Sequence, residues 1–305
     1  MPAASLREVP AHWLVLAASL LFVGMGICVK FAAVHYTTGE IVMYRGLFGL
    51  AVMAMAARAG GVSLATKVPL QHILRSVFGV SSLMCWFYAI GELPLATAMS
   101  LNYLSSVWVA VLLISGSLMF NTARVDMRLV WVVLVGFGGV FLMLQPSMDS
   151  DRWLAGVVGL LSGLATAVSY LQIGALGRAG EPSCRIVFYF SLGSVCLGAV
   201  SVCFTGFTPH TWITLIPLLG VGLCATVAQQ LMTLAYARGN AIVNASVQYS
   251  GVAFSVTFGV LLLNEDFSGR AMAGMCIIGF AVLCSSLLKK QPAARLPAAG
   301  QTEAL

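Results

Sequence analysis

The stretch from Trp13 to Val34 reads WLVLAASLLFVGMGICVKFAAV and carries a single charge, Lys30. A bilayer's hydrocarbon core is ~30 Å thick and takes ~20 apolar residues as a helix, so this run is long enough to cross it. Nine further runs of the same kind follow with short connections: Glu40 to Ala57, Ile73 to Ile90, Ala96 to Met119, Leu129 to Gln145, Leu154 to Gly174, Ile186 to Phe204, Trp212 to Leu234, Ile242 to Leu263 and Ala271 to Leu288. Hydrophobic residues make up 60% of the 305 and charged residues 9%, with mean hydropathy +0.96. A water-soluble domain of this size cannot hide so much hydrocarbon. The expectation is an all-α polytopic membrane protein with ten transmembrane helices, surrounded by lipid.

Charge sets the expected orientation. With a cytoplasmic N-terminus, the inside loops and tails hold twelve basic residues, among them Arg58, Lys67, Arg75, Arg124, Arg178 and Arg238, and the outside loops hold only Arg152 and Arg270. That bias predicts both termini in the cytoplasm. It also absorbs the net charge of +6. The basic residues are dispersed one or two per loop, which excludes a nucleic-acid patch. Arg7 followed by an apolar run imitates a signal peptide, but the run is too long for an h-region of ~7–15 residues, so it reads as an uncleaved first span. The eight cysteines lie in or beside spans with no C-x-x-C pair. They read as small packing residues, and no metal site is expected.

The second half echoes the first. Tyr88-Ala89 followed by Glu92-Leu93-Pro94-Leu95-Ala96 is answered by Tyr236-Ala237 followed by Arg238-Gly239-Asn240-Ala241. Asn102-Tyr103 is answered by Gln248-Tyr249, Leu20-Leu21 by Leu160-Leu161, and Phe48-Gly49 by Leu192-Gly193. The second of these pairs sets Lys30 opposite Tyr170 and the last sets Arg45 opposite Tyr189. Their common order across five helices points to a duplication. A duplicated unit with five spans inserts its second copy upside down, and inverted repeats are the architecture of secondary transporters. The expected repeats are residues 13–145 and 154–288, followed by a cytoplasmic tail at 289–305.

Three segments carry a family resemblance: Glu40-Ile41-Val42-Met43-Tyr44-Arg45, Trp86-Phe87-Tyr88-Ala89 with Leu93-Pro94-Leu95-Ala96, and Leu104-Ser105-Ser106-Val107. In these the chain resembles the EamA-type members of the drug/metabolite transporter superfamily. The resemblance runs from Trp13 to Leu288. It implies an inner (plasma) membrane protein that works by alternating access through a central cavity between two five-helix halves. The cargo implied is a small organic metabolite, such as an amino acid, with export slightly favoured. Import of a larger solute, such as a vitamin or a nucleoside-containing cofactor, is the alternative. Ser106 stands where the family usually has a proline, which leaves a helix break there open. Asn121 ends the fourth span where the family commonly has an acidic residue, a feature that Glu265 retains in the second copy.

The residues expected to meet cargo are polar groups within the spans. Lys30 and Arg45 are charged inside the membrane, where an ionisable group is a site hypothesis by default. One reading makes them a cationic lip for a carboxylate or phosphate. The other pairs Glu40 with Arg45 or Lys30 and lets Lys30 snorkel to the interface. Asn102, Tyr103, Gln248 and Tyr249 are matched by the repeat and fall near mid-span, either as cargo contacts or as interhelical glue. Tyr170 adds a phenol and Trp86 an aromatic face.

Acidic groups are sparse where proton relays sit. No carboxylate lies near the midplane, which favours facilitated diffusion or exchange over tight proton coupling. Gly159 and Gly163, and the cluster Gly136, Gly138 and Gly139, read as close helix packing. No H-E-x-x-H, G-x-S-x-G or phosphate-binding loop is present, so an intramembrane enzyme is disfavoured and no cofactor is expected. A lipid-handling protein is the remaining rival.

Overall fold

The computed structural model describes residues 9–120, 127–144 and 153–264, with isolated helical positions between 269 and 284. Among them the chain forms helices and no strand: α1 (Ala11–Ala32), α2 (Thr38–Ala59), α3 (Pro69–Glu92), α4 (Leu95–Tyr103), α5 (Ser105–Phe120), α6 (Met127–Leu144), α7 (Trp153–Arg178), α8 (Ser183–Thr205), α9 (Trp212–Arg238), α10 (Ala241–Gln248) and α11 (Ser250–Leu263). Among the described residues eight helical stretches are long and apolar enough to cross a membrane, with α4–α5 and α10–α11 each counting as one. The expected fifth span corresponds to α6, Met127–Leu144. The expected tenth span, Ala271–Leu288, lies outside the described residues except at isolated positions, as do the tail and the Arg124 connection.

Helix ends follow local chemistry. Thr37 and Glu40 form a reciprocal capping box at the start of α2, and Thr211 and Thr214 form another at the start of α9. Such boxes satisfy amide donors that a helix start leaves open. Asn240 caps α10 by accepting from the amides of Ile242 and Val243. Pro69 occupies the first turn of α3, where its missing N–H costs nothing. The outward faces are hydrocarbon: Phe204 is 86% exposed and Trp212 87%. Apolar surface of that kind suits lipid.

Both expected mid-span segments are interrupted. Between α4 and α5 the break falls at Leu104, and between α10 and α11 at Tyr249. Neither has a proline. The chain tightens into i→i+3 turns, Val107 N to Leu104 O at 3.0 Å and Val252 N to Tyr249 O at 2.9 Å. Ser106 sends its hydroxyl across to the Ala245 carbonyl of α10 at 2.8 Å.

The most extensive packing joins α2 with α8, α1 with α9 and α3 with α7. Small residues let the α2 and α8 backbones touch. A Cβ at Gly46 would lie 2.9 Å from the Ser191 carbonyl oxygen, and one at Gly198 would lie 2.7 Å from the Met43 nitrogen. Gly163 of α7 likewise abuts the Leu101 carbonyl of α4. These are the close approaches that small residues permit between membrane helices.

Candidate functional site

A cavity of about 40 Å³ lies between α1, α2, α3, α4, α7, α8 and α9. At ~10–15 Å³ per water it has room for a few water-sized groups. Arg45 enters it from α2 and Arg75 from α3, each less than a twentieth exposed. Arg45 Nη1 donates to Ser194 Oγ and Nη2 to Gln229 Oε1, both at the long distance of 3.4 Å. The guanidinium carbons of Arg45 and Arg75 stand 5.0 and 4.2 Å from the centroid of the Phe190 ring. A ring face attracts cations through its quadrupole, so Phe190 holds both.

The opposite wall is a hydroxyl network. Asn102 Nδ2 donates to Ser162 Oγ and Thr166 Oγ1, each at 3.0 Å, and Ser82 Oγ donates to the Ser162 carbonyl at 2.8 Å. Trp86 leans edge-on against Phe22, with centroids 6.0 Å apart. Tyr170 stacks on Tyr236 at 4.4 Å, and its hydroxyl accepts from Gln248 Nε2 at 3.1 Å.

Of the residues singled out in the sequence, Arg45, Trp86, Asn102 and Tyr170 therefore meet at one cavity. Gln248 is one layer behind it, bonded to Tyr170 and to the Tyr236 hydroxyl at 3.3 Å. Tyr103 is buried beside Gly251, and Tyr249 packs on Gly136 with its hydroxyl on the Val133 carbonyl at 3.3 Å. Lys30 donates to the Leu93 carbonyl at 2.7 Å and so caps the end of α3.

Two sequence readings change. Glu40 does not turn toward Arg45: its carboxylate accepts from the Thr37 amide at 2.9 Å, the Thr208 amide at 2.6 Å and the Thr208 hydroxyl at 2.9 Å. A carboxylate with that many donors is already satisfied. Arg75, counted above among the loop cations, stands inside α3 and lines the cavity. Its guanidinium folds back over Gly79, where a Cβ would collide with Nη1. That i, i+4 glycine was the available signal.

A second cluster lies at the start of α3, one turn from Arg75. Glu181 Oε2 accepts from Arg185 Nη1 at 2.9 Å and contacts His72 Nε2 at 3.2 Å, while Glu181 Oε1 accepts from the Thr66 hydroxyl at 2.9 Å. Arg185 Nε also holds the Ser63 carbonyl at 2.9 Å, and the Tyr189 ring packs tilted against His72 with centroids 4.6 Å apart. Burial pushes the Glu181 carboxyl up, but hydrogen bonds from Arg185, Thr66 and His72 outweigh it and hold the group below the ordinary carboxylate range. Among the described residues no three His, Cys, Asp or Glu side chains gather as a metal site.

No protein-family profile matches the chain. The pseudopaline exporter CntI of Pseudomonas aeruginosa is 30% identical to it over 274 residues, covering 90% of this chain and 94% of that protein. An uncharacterized transporter of Helicobacter pylori is 23% identical over 301 residues, covering 92% and 94%. The riboflavin transporter of Rhizobium johnstonii is 28% identical over 231 residues, covering 76% and 73%. A solved crystal structure, 18% identical, superposes with a TM-score of 0.74 over 92% of this chain and 99% of its own, which supports the fold alone. Multi-pass, helical and similar along nearly its whole length to named transporters, the chain belongs to the membrane transporter family that includes the pseudopaline exporter.

Proposed function

We propose that this protein carries small organic metabolites across the inner membrane by alternating access, as an EamA-type transporter of ten helices in two inverted repeats, residues 13–145 and 154–288. Both termini, with the tail at 289–305, face the cytoplasm. Cargo binds at the central cavity, against Arg45, Trp86, Asn102 and Tyr170. Lys30, Tyr103, Gln248 and Tyr249 support that wall from behind or from the helix ends.

The observation that carries this reading is the pair of latches at opposite ends of the bundle. Glu40, at the start of α2, holds Thr208 in the α8–α9 connection. Glu181, just before α8, holds Thr66 in the α2–α3 connection. A two-fold axis in the membrane plane that exchanges α2 with α8 exchanges these contacts. It also exchanges the α1–α9 pair with the α7–α3 pair, and the break at Leu104 with the break at Tyr249. Release of one latch at a time is what alternating access needs.

Export is favoured by the likeness to the pseudopaline exporter. A second reading, uptake of a larger ring-bearing solute, draws on the riboflavin transporter of Rhizobium johnstonii and on the aromatic faces of Trp86 and Tyr170. Among the described residues no carboxylate lines the cavity, which favours facilitated diffusion or exchange over proton coupling. Flux into proteoliposomes of known orientation, across a metabolite panel with and without a pH gradient, tests all of this. Flux that is lost in Asn102→Ala while folded protein remains supports the cavity. The absence of flux for every metabolite, with either gradient, would remove the transporter reading.

A further inference from the structure

The cavity is bounded by unmatched donors. Among its lining residues, the buried polar atoms without a hydrogen-bond partner are Arg45 Nε, Arg75 Nε, Arg75 Nη1 and Trp86 Nε1. All four are N–H groups, and neither a guanidinium nor an indole nitrogen can accept. Among the acceptors beside these donors, Gln229 Oε1 takes Arg45 and the Thr166 hydroxyl takes Asn102, as does that of Ser162 just behind the wall.

The charge is unmatched as well. Two guanidiniums, 4% and 2% exposed, face one small space with no carboxylate in its lining. Glu40, the acidic residue nearest to Arg45 in sequence, is committed to Thr37 and Thr208. The Phe190 face attracts both cations, but a ring quadrupole does not replace a counter-charge. A buried charge left without a partner is costly, and a group that accepts hydrogen bonds while bringing negative charge removes both deficits at once.

Resting on the transporter reading above, we infer that Arg45 and Arg75 together hold the anionic end of the cargo. The group is a carboxylate or phosphate whose oxygens accept from both guanidinium forks and from the Trp86 indole, so the substrates of this protein are organic anions. The cavity of about 40 Å³ suits one such head group. The remainder of the cargo enters as the walls part beside Phe22, Leu83 and Trp86. Arg is the suited residue on both sides, because its planar fork matches a carboxylate or phosphate with paired donors.

The competing account makes the two arginines braces that tie α2 and α3 to α8 through Phe190. The two accounts differ in sign. Removing a brace destabilises the empty protein, whereas removing one of two facing cations relieves repulsion in it.

The test uses the full-length protein in detergent, with sodium succinate, inorganic phosphate and uncharged succinamide as probes against chloride at matched ionic strength. Succinate or phosphate should raise the melting temperature in a saturable way, and succinamide should not. The larger of the two anion shifts tells carboxylate from phosphate. Arg75→Gln should melt above the wild type without probe and lose about tenfold or more in apparent affinity. Arg75→Lys, which keeps the charge and loses the fork, should retain part of the shift, and it carries the comparison if Arg75→Gln does not fold. Equal shifts from all three probes, or no shift from any, overturns the inference. So does an Arg75→Gln protein that melts below the wild type with its probe response intact. A persistent succinate shift in a protein that moves no metabolite would remove the transporter reading and leave the anion site standing.

Discussion

The Arg75 guanidinium lies against Gly79, one turn further along α3, in space that any larger residue at position 79 would occupy. A Cβ there would also come within 2.8 Å of Ser169 Oγ and 2.9 Å of the Phe190 ring. Gly79→Ala should therefore displace Arg75, cost about 1–3 kcal/mol of stability and lower flux. Gly138→Ala is the control, since nothing lies within 4 Å of a Cβ at that position. Thermal unfolding of the two variants side by side decides it, and equal melting would show that α3 yields easily.

Glu40 and Arg45 should behave as independent residues. Glu40→Gln strips a carboxylate from Thr37 and Thr208, at a cost of about 1–3 kcal/mol. Arg45→Gln acts on Ser194, Gln229 and the cavity instead. In a double-mutant cycle the coupling should stay within about 0.5 kcal/mol. Recovery of stability in the double mutant would restore the ion pair that the geometry removes.

The two latches should control opposite faces. Thr208→Val loosens the Glu40 end, and Thr66→Val loosens the Glu181 end. Cysteine introduced at Ser169, on the cavity wall, should gain reactivity toward an impermeant thiol reagent from the outside in the first variant and from the cytoplasm in the second. Gain from one and the same side in both would break the proposed two-fold relation.

Acid should weaken the Glu181 end. Its carboxyl titrates below the unfolded value of about 4.5 in the folded protein. The stability it contributes is thus complete above that value and is lost as pH falls through the lower, folded one. Glu181→Gln should melt lower than the wild type at neutral pH and show a shallower loss below pH 4.5. Parallel melting curves across the whole range would detach the group from stability.

Tyrosines at matched positions should separate from the amide beside them. Tyr103→Phe removes a hydroxyl with no partner among the described residues and should be neutral or slightly stabilising. Tyr249→Phe frees the Val133 carbonyl at a cost of about 0.5–1.5 kcal/mol, with flux unchanged. Loss of flux in either, at wild-type stability, would return that tyrosine to the cargo path.

Sequence reading reached the spans because bilayer thickness imposes a length on each apolar run, and eight of those runs stand as membrane-length helices. It reached Arg45, Trp86, Asn102 and Tyr170 because polar groups in hydrocarbon need a destination. Symmetry between sequence positions proved a weaker guide. Asn102 and Tyr103 are successive residues, about 100° apart around a helix of 3.6 residues per turn, so one small cavity does not receive both. Arg75 is masked in the sequence because a basic residue near a span end serves equally well as a topology signal. The partners Glu40–Thr208 and Thr66–Glu181 are 168 and 115 residues apart, and no local pattern links them.

The α2–α8 contact bears on which parts of the molecule can move. Gly46 sits on the α8 backbone and Gly198 on that of Met43, and at Gly39 a Cβ would meet the Ser201 hydroxyl. From Gly39 to Gly46 this seam runs about 10 Å at 1.5 Å per residue, too long for a pivot and too tight for sliding. Helices from opposite halves of the chain are thereby fused into one beam. On the alternating-access reading, the bodies that rock past each other are then blocks that each draw helices from both halves of the chain, and the N-terminal and C-terminal halves are not separate mechanical units.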